Sequence, residues 1–166
     1  MTNRQIIHYR RKREGRTDYR KRLEYLKSGK PRLVVRKSVN NIVVSIVEYH
    51  PDGDRVIVTF NSKDLKKHGW TFSTGNIPAA YLSGFIIGKK ALEKNVSEAI
   101  LDLGLQANVK KGRLFSALKG ALDAGLNVPH SEEAFPSEDR LLGKHIEEHL
   151  NVKISDKVEE IKSKFK

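Results

Sequence analysis

The chain has 166 residues, with 32 Lys/Arg against 20 Asp/Glu, six His and no Cys, giving a formal net charge of +12 at pH 7. That length supports one domain with a real core and is too short for two comfortable ones. The lack of cysteine excludes disulfides, thiolate catalysis and every Cys-based zinc site, and the basic excess suits a protein that sits among phosphates better than a metabolic enzyme.

The charge is concentrated at one end. Residues 1–37 hold fourteen Lys/Arg and three Asp/Glu, a net of +11, which leaves 18 against 17, or +1, for residues 38–166. The runs Arg10-Arg11-Lys12-Arg13 and Arg20-Lys21-Arg22 are separated by Gly15, Thr17, Asp18 and Tyr19 rather than by apolar residues at helical spacing. A membrane-surface helix needs a continuous apolar face, so the pattern points to RNA and not to a membrane. Residues 1–30 are too poor in aliphatics to bury a core and predict a disordered arm that ends in a short helix over residues 18–27. This arm should separate from the rest after residue 22.

β-branched runs follow at residues 32–39, 41–49 and 55–60, with turns at Asn40-Asn41 and Pro51-Asp52-Gly53-Asp54, and predict a three-stranded meander. Residues 61–75, rich in Lys, His and Gly, read as a loop leading to a helix over 76–95. Residues 98–103 read as a buried strand, 113–124 as a helix and 126–128 as a short strand, with the later strands parallel to the first. The predicted fold is α/β, a sandwich with a mixed sheet built from a β-meander and two β-helix units. Residues 137–150 read as a further helix, and 155–166 as a charged one whose composition gives little reason for order. These elements divide the chain into an arm (1–30), an α/β core (31–136) and a helical extension (137–166). No signal region precedes the arm, and the longest apolar stretch, residues 77–88, is about half the roughly 20 residues of a membrane-spanning helix. The expectation is a soluble, cytoplasmic protein.

Several motifs invite chemistry and do not sustain it. Ala80, Gly84, Gly88 and Ala91 form a stripe of small residues on the long helix, which at about 1 kcal/mol of helix propensity per glycine predicts close packing of that helix on the sheet. The stretch Gly84 to Lys90 resembles a phosphate-binding loop, but is one residue short and has Lys90 where a magnesium-ligating Ser/Thr belongs. His145-Ile146-Glu147-Glu148-His149 fits the H-x-x-E-H zinc pattern, yet lies on a charged helix without a third ligand and reads as a solvated face. Asn95-Val96-Ser97 is a glycosylation acceptor only in a secreted chain. A metal-dependent nuclease of ribonuclease-H-like plan would need a carboxylate in its first strand. Residues 32–39 contain none, and Asp102 alone cannot build the site. No cofactor is expected. What remains is a binding module, with Tyr19, Trp70 and Phe72 as aromatics that could stack on bases or pack in the core. Lys110-Lys111-Gly112-Arg113 forms a second basic cluster.

Four blocks then resemble one family. They are Arg10 through Tyr19 with Arg20-Lys21-Arg22-Leu23; Pro31-Arg32-Leu33-Val34-Val35-Arg36 with the turn at Asn40-Asn41; Ala79-Ala80-Tyr81-Leu82-Ser83-Gly84 with Lys89-Lys90; and the run from Asp102-Leu103-Gly104-Leu105 through residues 115–125 to Pro129-His130-Ser131 and Phe135-Pro136. In this order they resemble the large-subunit ribosomal protein that carries 5S rRNA, universal protein eighteen in its archaeal and eukaryotic branch. The resemblance implies a non-catalytic protein with a core of ribonuclease-H-like type. It implies binding to 5S rRNA, a place in the central protuberance, and contacts with the large rRNA and neighbouring ribosomal proteins. Eukaryotic members extend well beyond residue 166, so the length fits an archaeal source; residues 151–166 match nothing in the family. On this reading Arg10, Arg11, Lys12, Arg13, Arg16, Arg20 and Arg22 contact phosphates while Thr17 and Tyr19 fix the path of the arm. Arg36, Lys37, Asn40 and Asn41 extend that surface, Trp70 is a stacking candidate, and Lys110, Lys111 and Arg113 reach toward the large rRNA. A general RNA chaperone is the alternative to a fixed target.

Overall fold

The β-branched runs pair as a meander of β1 (Arg32–Lys37), β2 (Ile42–Glu48) and β3 (Arg55–Asn61), antiparallel throughout. A fourth strand, β4 (Ile100–Asp102), adds to β1 in parallel, giving the order β3-β2-β1-β4. The structure is a computed structural model that describes residues 7–165; the first six residues of the predicted arm and Lys166 lie outside them. Residues 126–128 make a single parallel bridge, Glu98 to Asn127, rather than a strand. Leu126 and Val128 are nonetheless buried.

Alternation along the strands separates two faces. Leu33, Val35, Ile42, Val44, Ile46 and Phe60 point to one side and are at most 4% exposed. Two helices cover them: α3 (Ile77–Glu93) over β2 and β3, and α4 (Arg113–Asp123) over β1. The α3 helix starts at Asn76, whose side-chain oxygen accepts the Ala79 N–H at 2.9 Å. Its small-residue stripe faces α4, not the sheet as its pattern predicts. A Cβ on Gly84 would lie 1.8 Å from the Ala117 carbonyl oxygen, and one on Gly120 would lie 2.0 Å from that of Tyr81. Each glycine therefore admits the other helix's backbone, and α4 supplies a matching small-residue patch that periodicity on α3 alone could not reveal.

Residues 61–75 are more ordered than a loop. A 3-10 helix spans Ser62–His68, capped by the Asn61 side chain, and buries Ser62 and Leu65. It leads to Trp70, which is 1% exposed, stands edge-on to Phe72 and donates its indole N–H to the Ser73 carbonyl at 3.1 Å.

The predicted 137–150 helix is two, α5 (Glu138–Leu142) and α6 (Lys144–Leu150), divided at Gly143 with φ 89°. Only glycine suits that backbone and the approach of Pro78, 2.9 Å from a built Cβ. The doubtful charged segment is a docked helix, α7 (Ser155–Lys164). Ile154, Val158 and Ile161, at helical spacing, are fully buried in the same core as the sheet. The Glu147 carboxylate accepts the N–H groups of Ser155 and Ile154, Ser155 at 2.6 Å, and these bonds hold its pKa below the ordinary carboxylate value.

At the other end, α1 (Arg10–Arg13) is one exposed turn where composition predicts no regular structure. Glu14 accounts for it, pairing with Arg10 at 2.8 Å and Arg16 at 3.2 Å. The α2 helix (Tyr19–Lys27) begins at Asp18, which accepts from the Arg20 and Lys21 N–H groups.

Candidate nucleic-acid interface

The other face of the sheet presents Arg32, Val34 and Arg36 from β1, opposite Val47, Ser45 and Val43 of β2. The far strand β3 continues it with Thr59, hydrogen-bonded to Ser45 at 2.7 Å, and Val56. Tyr25 and Arg22 of α2 stand against one end, and the arm bends over them through Tyr19, whose ring lies 5.3 Å from that of Tyr9.

Charges on this face form an alternating chain. Arg22 grips Asp54 with both terminal nitrogens, at 2.8 and 2.7 Å. Asp54 also accepts from Arg32, Arg32 pairs with Asp102 at 3.0 Å, and the other Asp102 oxygen accepts from Arg36 at 3.0 Å. Arg36 closes the chain by donating to the Asp102 backbone carbonyl at 2.6 Å, and the Gly104 N–H donates to the Asp102 side chain at 2.8 Å. The Arg32 and Asp102 side chains are 5% and 7% exposed, so each needs the other. The Arg22 hydrogen bonds hold the Asp54 carboxyl below the ordinary carboxylate value, with Arg32 acting in the same direction against partial burial. Asp102, the one acid that a nuclease reading had available, is thus committed to two guanidinium groups. Among the described residues no group of three or more His, Asp or Glu could hold a metal ion, His145, Glu148 and His149 included.

The arm cations are mostly free of this chain. Arg13, Arg20 and Lys21 have no carboxylate partner among the described residues, and Arg10 and Arg16 share only Glu14. Arg11 donates to the Thr17 hydroxyl at 2.9 Å, which sets the turn of the arm, and Lys12 reaches His8 at 3.4 Å. Arg22 differs: it is a tie between α2 and the sheet, so the separable arm ends at residue 17 and not at residue 22.

The second cluster sits around the other end of β1, beyond Lys37 and the turn that follows it. Asn40 and Asn41 form the β1–β2 turn, and the Thr74 hydroxyl is shared between the Asn40 carbonyl at 2.9 Å and the Asn41 side chain at 2.8 Å. Arg113 braces the same turn, donating to the Gly75 carbonyl at 2.9 Å and more loosely to those of Ser38 and Val39. It is a structural clamp with part of its guanidinium left over. The Lys37 N–H donates to Gln106, its ammonium unpaired among the described residues. Lys110 meets Glu133 at 3.1 Å, and Lys111 adopts φ 58° on the exposed loop.

Trp70 does not belong to this surface. Its ring is enclosed by the core and its one donor is used, so it offers no face to a base. Sequence reasoning missed Arg32 and Asp54, because a β1 arginine and a turn aspartate 22 positions apart carry no local signal of pairing.

A mixed α/β domain with a basic arm, whose Arg13, Arg20 and Lys21 have no carboxylate partner among the described residues, has the charge layout of a polyanion-binding module. Over residues 3–98 and 93–131 the chain matches the family described as ribosomal large subunit proteins 60S L5 and 50S L18. The chain belongs to this family and has a structural role in the large ribosomal subunit. Helices α5 to α7 lie outside the match. No helix among the described residues is long and apolar enough to cross a membrane.

Proposed function

We propose that the chain binds 5S rRNA through the arm and the adjoining sheet face and ties it to the large rRNA in the central protuberance, as a non-catalytic protein of the cytoplasmic ribosome in an archaeal-type subunit. The core would follow the ribonuclease-H-like plan without that plan's acids. The observation that carries this is the set of uncommitted cations on the arm and the start of α2, Arg13, Arg20 and Lys21, with Arg10, Arg11, Lys12 and Arg16 held only by weak exposed contacts. Exposed pairs of this kind contribute about 1 kcal/mol or less and yield readily to phosphate. Lys37, Lys110, Lys111 and the free part of Arg113, at the far end of β1, would meet the large rRNA or a neighbouring ribosomal protein, with Asn40 and Asn41 shaping the turn. Thr17 and Tyr19 would set the arm's path.

Deleting residues 1–17 keeps the Asp18 cap and the Arg22 to Asp54 tie. The truncated protein should melt as the full chain does and lose tight 5S rRNA binding, measured by filter binding at moderate salt. Undiminished affinity would remove the arm from the site.

A further inference from the structure

On the helical side of the sheet, α3, α4, α5 and α7 meet around a cavity of about 270 Å³. The charge of this region runs against that of the chain: residues 123–160 hold ten Asp/Glu and four Lys/Arg, a net of −6 in a chain of +12. Leu141 and Leu142 of α5 and the Tyr81 ring of α3 give the cavity its apolar wall. Tyr81 is 3% exposed, and its hydroxyl donates to Asp123 at 2.8 Å and accepts from the Lys162 ammonium at 2.8 Å. Lys162 also stands over the Tyr81 and Phe85 rings, 5.1 and 5.4 Å from their centres, and has no carboxylate partner among the described residues. The chain thus already lodges one cation here on aromatic faces. Asp123 is committed to Tyr81 and, at 2.9 Å, to Lys119. The other two carboxylates that line the cavity, Glu138 and Glu159, have no hydrogen-bond or ion-pair partner among the described residues. Their sequence neighbours make the ion pairs instead, Asp139 with Lys144, and Glu160 with Lys157 and Lys164.

An apolar wall with an unpaired carboxylate from each of two helices is complementary to one kind of group: a guanidinium on an aliphatic stem, whose flat face packs on leucine and tyrosine while its edge donates to the carboxylates. A phosphate would meet both carboxylates and be repelled, so this face suits a protein and not RNA. The volume lies just below the roughly 300–1,000 Å³ of small-ligand sites and fits a single side chain. Proteins assembled with RNA carry such side chains on extended segments, as the arm of this chain does. We propose that the cavity takes an arginine side chain from an extended basic segment of a neighbouring protein in the large subunit, its guanidinium shared by Glu138 and Glu159 and its stem on Leu141 and Leu142. The proposal goes beyond the RNA-binding reading and does not depend on it. Five of the seven lining residues come from α5 and α7, outside the family match, so the site is built mainly from the helical extension.

The test titrates the full-length protein with a peptide that alternates arginine and glycine, and follows the protein's backbone amide signals by NMR. The amides of residues 138–142 and 159–162 should shift on binding, and a peptide with lysine in place of arginine should bind less tightly, since an ammonium cannot donate bidentately. Glu138 and Glu159 are exposed, so glutamine at both leaves the fold intact. Glu138→Gln with Glu159→Gln should weaken the arginine peptide by about tenfold or more, as loss of charge-assisted hydrogen bonds does. Glu132→Gln with Glu148→Gln removes the same charge from exposed sites outside the cavity and should weaken it by less than about twofold, because exposed charges at a distance are screened. Absence of binding, amide shifts confined to other residues, or equal weakening by the two pairs of substitutions would overturn the proposal. So would self-association of the protein that the Glu138 and Glu159 substitutions abolish, since the occupant would then be the arm of a second copy.

Discussion

Asp54 lies between Arg22 and Arg32, and Asp102 between Arg32 and Arg36, so two carboxylates hold three guanidinium groups on one face of β1. Because the folded pKa of Asp54 lies below its unfolded value, its contribution to stability is complete above the unfolded value, about 4, and is lost as pH falls through the folded one. Asp54→Asn should therefore melt below the wild type at about pH 6, and the gap should narrow progressively in melts taken at pH values falling below about 4. A gap independent of pH would show that the carboxylate charge is not what ties α2 to the sheet. Arginines that look alike in the sequence differ here. Arg13→Ala should leave the melting temperature unchanged and flatten the slope of log affinity against log salt by about one, as expected for a lost phosphate contact. Arg22→Ala should lower the melting temperature, since it strands Asp54 beside the single Arg32. Identical behaviour of the two variants would mean that the Asp54 tie has no weight.

Among the elements, the α3–α4 crossing is the tightest contact in the core. Gly84→Ala and Gly120→Ala each gain about 1 kcal/mol of helix propensity, but each puts a methyl group about 2 Å or less from a backbone oxygen. The helices must part, and overpacking of this sort costs typically 1–3 kcal/mol. Both substitutions separate the same pair, so the double variant should lose less than the sum of the singles in urea unfolding; strict additivity would contradict the shared crossing. The meander was legible because β-branched runs and Asn or Asp-Gly turns are local signals, and β4 because its apolar run is bounded. The partner of the glycine stripe was not, since one helix's small face does not say whether a sheet or a helix lies against it. Lys-Asp-Leu-Lys-Lys-His hid a 3-10 helix because only Leu65, with Ser62 before it, goes inward. The charges of α7 hid Ile154, Val158 and Ile161 for a similar reason, three buried residues among many solvated ones.

For the whole molecule, the asymmetry of +11 in the first 37 residues against +1 in the rest was plain in the sequence, as was the family. The site was only half legible: exposed cations are visible as runs, but their internal counter-ions, Asp54 and Asp102, join strands and turns far apart in the chain. Folding commits Asp54 and Asp102 to Arg22, Arg32 and Arg36, while Arg13, Arg20 and Lys21 have no carboxylate partner among the described residues. Charge alone would bind almost any RNA, with affinity falling by orders of magnitude between roughly 50 and 200 mM salt, so a fixed target has to show itself where that component is suppressed. The direct measurement is binding of the full-length protein to 5S rRNA and to a tRNA-sized control at a monovalent salt concentration high enough to suppress charge-only association. A large preference for 5S rRNA is the predicted result; equal, weak binding to both would contradict it and leave a general RNA-binding protein in its place.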